Sequence, residues 1–142
     1  ESQSSKTTPV TDCLGFYGTA CGNPLPENRW IQRTTWSVGM FDFSYLWRHL
    51  DSTKIEQAQI DSVNGVFPAF QKIDSYDYLD LYAAFNLFEN TTLSLGVTNV
   101  TDEDPPVVGN EAGATFANSG NTFPSVYDTL GRVFTMGVKV RF

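Results

Sequence analysis

Strict alternation of oily and polar residues is the feature that most limits what this chain can become. In the closing run Gly131 to Phe142, the residues Phe134, Met136, Val138, Val140 and Phe142 fall on one side of an extended strand. Val133, Thr135, Gly137, Lys139 and Arg141 fall on the other. At about 3.3 Å per residue the run is roughly 40 Å long, and tilted near 45° it covers about 28 Å, close to the hydrocarbon thickness of a bilayer. The same period recurs upstream. Arg29 to Ser37 sets Trp30, Gln32, Thr34 and Trp36 on one side. Met40 to Leu50 opposes Phe41, Phe43, Tyr45 and Trp47 to Asp42, Ser44, Leu46 and Arg48. Tyr76 to Leu87 opposes Leu79, Leu81, Ala83, Phe85 and Leu87 to Tyr78, Asp80, Tyr82, Ala84 and Asn86. Thr92 to Val100 opposes Leu93, Leu95 and Val97 to Ser94, Gly96 and Thr98. The reading is all-β, with about five antiparallel strands. The apolar faces of the last four carry no charge, whereas Asp42, Arg48, Asp80, Lys139 and Arg141 fall on the opposite side.

The connections are as informative as the strands. Residues 1–28, 51–75 and 101–129 read as long loops, with at most a helical turn around Lys54 to Ile60, whereas 38–39 and 88–91 are tight turns. In an up-and-down meander all the long connections then lie at one end and the short ones at the other. Structureless loops above about 15 residues are uncommon in compact domains, but short turns on one side and long loops on the other are usual in transmembrane barrels. Phe41, Phe85, Phe88 and Phe142 lie toward the tight-turn end, and Trp30, Trp47 and Phe134 toward the other. Two aromatic rims suit the two interfaces of a membrane.

Composition excludes several functions. With 142 residues, 41% of them hydrophobic, the chain can bury a core. It has no apolar run near the ~18 residues of a membrane helix, so any crossing must use strands. A net charge of -7 argues against nucleic acid, which needs a basic stripe. No nucleophile elbow or phosphate-cradling glycine loop is present, and the only histidine is His49. No enzyme activity, metal or cofactor is expected. Asp102, Glu103 and Asp104 lack calcium-loop spacing and read as a solvated turn before Pro105 and Pro106.

Cys13 and Cys21 stand close together in a segment punctuated by Gly15, Gly18, Gly22, Pro24 and Pro26. Zinc would need further ligands, so the pair reads as a disulfide. Closing this loop is worth about 2.6 kcal/mol by chain entropy, and it implies an oxidising compartment. Phe116, Phe123 and Tyr127 are candidate ligand-stacking aromatics of the last loop, with packing within the loop as the alternative. The start Glu1-Ser2-Gln3 has no basic flank or apolar stretch, so a removed signal or a longer parent chain is expected.

A family resemblance gathers these features. The stretch Leu95-Gly-Val-Thr-Asn99-Val-Thr-Asp102-Glu-Asp104-Pro105-Pro106, then Tyr127-Asp128-Thr-Leu-Gly131-Arg132 and the final Val140-Arg141-Phe142, resembles the end of TonB-dependent outer-membrane receptors. The family's strand exit is commonly Asn-Leu-Phe-Asp, so Val100 and Thr101 depart from it. Cys13-x-Gly15-x-Tyr17-Gly18-x-x-Cys21, Arg33-Thr-Thr-Trp36 and Trp47-Arg48 are similar to members with large loops, and the likeness covers most of 12–142.

The resemblance implies the last five strands of a transmembrane barrel of about 22, closed around a plug. It implies an address in the bacterial outer membrane and active uptake of a scarce nutrient such as a siderophore, cobalamin or an oligosaccharide. The remaining strands, the plug, the TonB-ExbB-ExbD complex, membrane lipid and a surface lipoprotein are the implied partners. Phe142 is implied as the assembly signal read by the insertion machinery. A passive porin is the alternative, and a soluble β-sandwich that binds carbohydrate is a third reading.

Overall fold

The computed structural model describes residues 11–62, 65–112 and 121–142. The elements in chain order are β1 (Phe16–Tyr17), β2 (Arg29–Val38), β3 (Phe41–Leu50), β4 (Thr53–Ile55), α1 (Gln57–Ile60), a 3-10 turn (Pro68–Phe70), β5 (Lys72–Ile73), β6 (Tyr76–Phe88), β7 (Thr91–Thr98) and β8 (Val133–Val140). They form two sheets, one of five strands in the order β2-β3-β6-β7-β8 and one of three in the order β1-β4-β5. The chain divides accordingly into two compact units.

The sheet unit holds Trp30–His49, Asp77–Asp104 and Leu130–Phe142. Each of its five strands was legible from alternation, with ends within about two residues of those expected. β6, β7 and β8 pair antiparallel, with Ala83 opposite Leu95 and Leu95 opposite Met136. β3 runs antiparallel to β6, since Asp42 bonds Asn86 at one end and Arg48 bonds Asp80 at the other. Among the described residues the sheet is open, with β2 and β8 at its edges. Two details differ from expectation. Between β6 and β7 the turn tightens to Glu89 and Asn90, because a bulge at Leu87 brings Phe88 opposite Thr91. β8 stops at Val140, leaving Arg141 and Phe142 outside the strand although Arg141 N–H still donates to Asn90.

The second unit corrects the loop assignments. The segments expected as long connections contribute β1, β4, β5 and α1, and the described residues of 11–29, 50–76 and 105–129 share one core. The anticipated helical turn is confined to Gln57–Ile60, because Thr53–Ile55 is a strand. β1 pairs β4 in parallel and β4 pairs β5 antiparallel, so this small sheet is mixed. Tyr17, Ile55 and Ile73 point inward while Phe16, Lys54 and Lys72 point out. Alternation over two or three residues is too short to register in a sequence. Tyr17 packs edge-on against Phe123 at 5.6 Å, and Tyr76 against Tyr127 at 5.0 Å. Gln59 joins all three segments, since Thr19 donates to its carbonyl and its amide donates to Glu111 O.

Candidate functional site

Strand pairing fixes which residues share a face, since directly opposed residues project to the same side. One face of the sheet unit runs through Leu81, Ala83 and Phe85 on β6, Leu93, Leu95 and Val97 on β7, and Phe134, Met136 and Val138 on β8. The Phe41–Phe85 contact at 4.9 Å places the β3 aromatics on it, and Trp36 against Phe43 at 5.8 Å adds β2. This face is left open. Phe134, Met136 and Val138 are 74%, 77% and 65% exposed, and Phe41, Phe43 and Leu95 are exposed as well. Apolar exposure that is contiguous across one sheet face differs from the singly scattered apolar residues of an ordinary soluble surface and marks a face built to be covered.

At the rim from which the long connections leave, the face changes character. Trp47 Nε1 donates to Asp77 Oδ1 at 2.7 Å, and His49 Nδ1 lies 2.8 Å from the same oxygen. Trp30 meets Trp47 edge-on at 4.3 Å and stacks on His49 at 5.5 Å. Asp77 is therefore a charge on the face expected to have none, and extending the β6 alternation by one pair would have revealed it. It sits at the end of the strand, where indole and imidazole satisfy it.

The opposite face is polar. Asp80 is only 2% exposed, and its Oδ1 accepts from Arg48 Nη2 at 3.2 Å and from Asn99 N–H at 2.9 Å. The Arg48 guanidinium lies 5.1 Å from the centre of the Tyr78 ring. Farther along, Asp42, Ser44, Tyr82, Ser94 and Thr135 line a cavity of about 340 Å³. Gly96 also lines it, and a Cβ there would lie 2.5 Å from Thr135 Oγ1 and 3.1 Å from the Tyr82 ring.

The two halves of the C-terminal motif meet in space. Arg132 N–H donates to Asp102 Oδ1 at 2.8 Å, its Nη2 to Asp102 Oδ2 at 3.2 Å and its Nη1 to Val100 O at 3.2 Å. Asn99 and Asp102 adopt positive φ, 51° and 58°, which Asn and Asp tolerate best after glycine. Asn99 also caps the turn, accepting from Glu103 N–H at 2.9 Å and donating to Glu103 O at 3.0 Å. These bonds fix the strand exit, so Asp102 is a turn residue with a defined partner.

In the second unit Cys13 and Cys21 are disulfide-bonded, with Cα atoms 5.4 Å apart. The bridged loop is held by Glu56, whose carboxylate accepts from Ala20 N–H at 2.9 Å, Cys21 N–H at 3.1 Å and Thr19 Oγ1 at 3.3 Å. A Cβ at residue 18 would stand 2.5 Å from Glu56 Cδ, so a side chain there would displace the carboxylate from the loop amides it accepts from. Nothing near Glu56 in the sequence signals this role, because its partners lie more than thirty residues away. Phe123 and Tyr127 are buried in the core of this unit, which is the packing alternative for these rings. Phe116 lies outside the described residues. Phe142 is fully exposed. A second cleft, of about 340 Å³, opens beside β1 and β4 between Glu27, Asp51, Ser52 and Lys54. Burial, with the nearby Tyr127 as a smaller cause, pushes the Tyr17 phenol above its ordinary range, and its hydroxyl donates to Phe70 O.

Among the described residues no three His, Cys, Asp or Glu side chains gather as a metal site. Comparisons of the chain with family models, with curated proteins and with solved structures find no match.

Proposed function

We propose that this chain supplies C-terminal strands of the barrel of a TonB-dependent receptor in the bacterial outer membrane, which takes up a scarce nutrient actively. The observation that carries the reading is the open apolar face of the five-stranded sheet, continuous from β3 to β8. In water that surface would drive aggregation, whereas acyl chains match it. The Trp30, Trp47, His49 and Asp77 cluster suits a headgroup boundary, where amphipathic rings find both oil and water. The polar face would line the interior, and the outer strands β2 and β8 would pair with further strands.

The receptor is favoured over a passive porin by the resemblance of the Asn99 to Arg132 stretch, whose residues form a bonded strand exit. A soluble sandwich would cover the apolar face with a second sheet, and among the described residues the sheet unit contains one sheet.

The test is quenching of tryptophan emission in lipid vesicles. Trp30, Trp36 and Trp47 stand on the apolar face, so acyl-brominated lipid should quench them while aqueous iodide does so weakly. Strong iodide quenching with no effect of brominated lipid would overturn the membrane reading. In whole cells uptake should stop when the proton gradient is collapsed, and a passive pore would continue to conduct.

A further inference from the structure

The cleft beside β1 and β4 is lined by the exposed charged side chains of Glu27 and Lys54. Glu27 and Lys54 both line it, yet neither side chain forms a hydrogen bond or ion pair among the described residues. Their neighbours are matched. Asp51 accepts from Asn28 Nδ2 at 2.6 Å, and Lys72, directly opposite Lys54 on β5, pairs with Asp74 at 2.6 Å. The local charge pattern therefore leaves one carboxylate and one ammonium facing a single cleft without neutralising each other.

Glu27 rests close against the Gly15 backbone. Gly15, with φ of 81°, has no side chain, and a Cβ there would stand 3.0 Å from Glu27 Oε1 and 3.2 Å from its Cγ. Glu27 thus lies over the Gly15 backbone at the cleft wall. Lys54 is fixed from the strand side, because its N–H donates to Gly15 O at 2.9 Å and it faces Phe16 in the β1-β4 pairing. The half-exposed Phe16 and the Ser52 hydroxyl complete the lining.

We infer that this cleft binds a short peptide with both termini free, its amino group on Glu27, its carboxylate on Lys54 and an apolar side chain on Phe16. Opposite unmatched charges complement a ligand that carries both. The volume, about 340 Å³, is at the small end of ligand sites and suits a di- or tripeptide. The inference rests on the transport reading for its biological meaning and narrows the nutrient to a solute class.

The experiment is calorimetric titration of the detergent-solubilised protein with the dipeptide Ala-Phe, its N-acetyl derivative and its C-terminal amide. The free dipeptide should bind, and blocking either terminus should weaken it about tenfold, the usual effect of removing one charged hydrogen-bond partner. Glu27→Gln should make the free and acetylated peptides equal, and Lys54→Met should do the same for the free and amidated ones. No binding of Ala-Phe, or binding indifferent to blocked termini, overturns the proposal even if a variant fails to fold. The lipid-quenching test is scored separately, so a protein quenched by brominated lipid that ignores Ala-Phe refutes only the peptide site.

Discussion

Asp102 shows how a residue can be visible in the sequence while its role is not. The Asn99 to Asp102 run and Gly131-Arg132 stood out as a motif, but thirty residues separate the carboxylate from the guanidinium that it meets. Only the returning strand brings them together. Both side chains are about half exposed, so the ion pair itself is worth roughly 0.2 to 1 kcal/mol. Asp102→Asn keeps an acceptor for Arg132 N–H and tolerates positive φ, so its expected loss stays below about 1 kcal/mol. Asp102→Ala loses both, with an expected loss of about 1 to 2 kcal/mol and faster hydrogen exchange at the Arg132 amide. Equal exchange in the two variants would remove the clamp role. Tyr17 gives a pH test with a definite sign. Its phenol is held protonated in the folded chain by burial and, secondarily, by Tyr127. Its contribution is therefore complete below the ordinary tyrosine pKa of about 10 and is lost as pH rises beyond it. Tyr17→Phe should lower neutral stability by about 1 kcal/mol, through the missing bond to Phe70 O, and flatten the alkaline decline. An equally steep decline in the variant, followed by circular dichroism, would contradict this.

At the scale of elements, what could be read in advance depended on strand length. β3, β6 and β8 repeat their alternation at least four times and β7 three times, so one face declares itself against background, whereas β2 is marked by its β-forming residues. β1, β4 and β5 are two or three residues long and owe their existence to partners in other segments. Gln59 and Glu56, which tie those segments together, are ordinary polar residues until the partners arrive. The assignment of faces can be tested by one substitution at neighbouring positions. Leu95 and Ser94 are both exposed, on opposite sides of β7. Leu95→Arg would place a cation in acyl chains at a cost of about 2 to 4 kcal/mol, and assembled protein should fall sharply. Ser94→Arg should be tolerated far better, since polar surface surrounds it. Comparable losses in heat-modifiability gels would mean that the faces are misassigned. Asp80→Asn is a poor control for this purpose, because Asp80 is buried beneath Arg48 and the Asn99 amide.

For the whole molecule, the two units draw their stability from different solvents. The second unit buries Tyr17, Ile55, Ile73, Val108, Phe123 and Tyr127 as a water-soluble core does, so ordinary hydrophobic burial supports it. The sheet unit has few buried apolar side chains of its own and is held by its ladders, by cross-strand pairs and, in the proposed setting, by lipid. Unfolding should then occur in two steps, an aqueous transition of the second unit followed by loss of the strands. Reduction of Cys13–Cys21 should lower the first step by about 2.6 kcal/mol or less, since Glu56 still grips the loop through Ala20 and Cys21. The second step should not move, because no cysteine lies in the sheet. Heating the protein in vesicles, with hydrogen exchange at the Ile55 and Glu56 amides reporting the second unit and far-ultraviolet dichroism reporting the strands, separates the two. A single coincident transition shifted as a whole by reductant would show that the units unfold as one body, and the division of labour between water and lipid would fall with it.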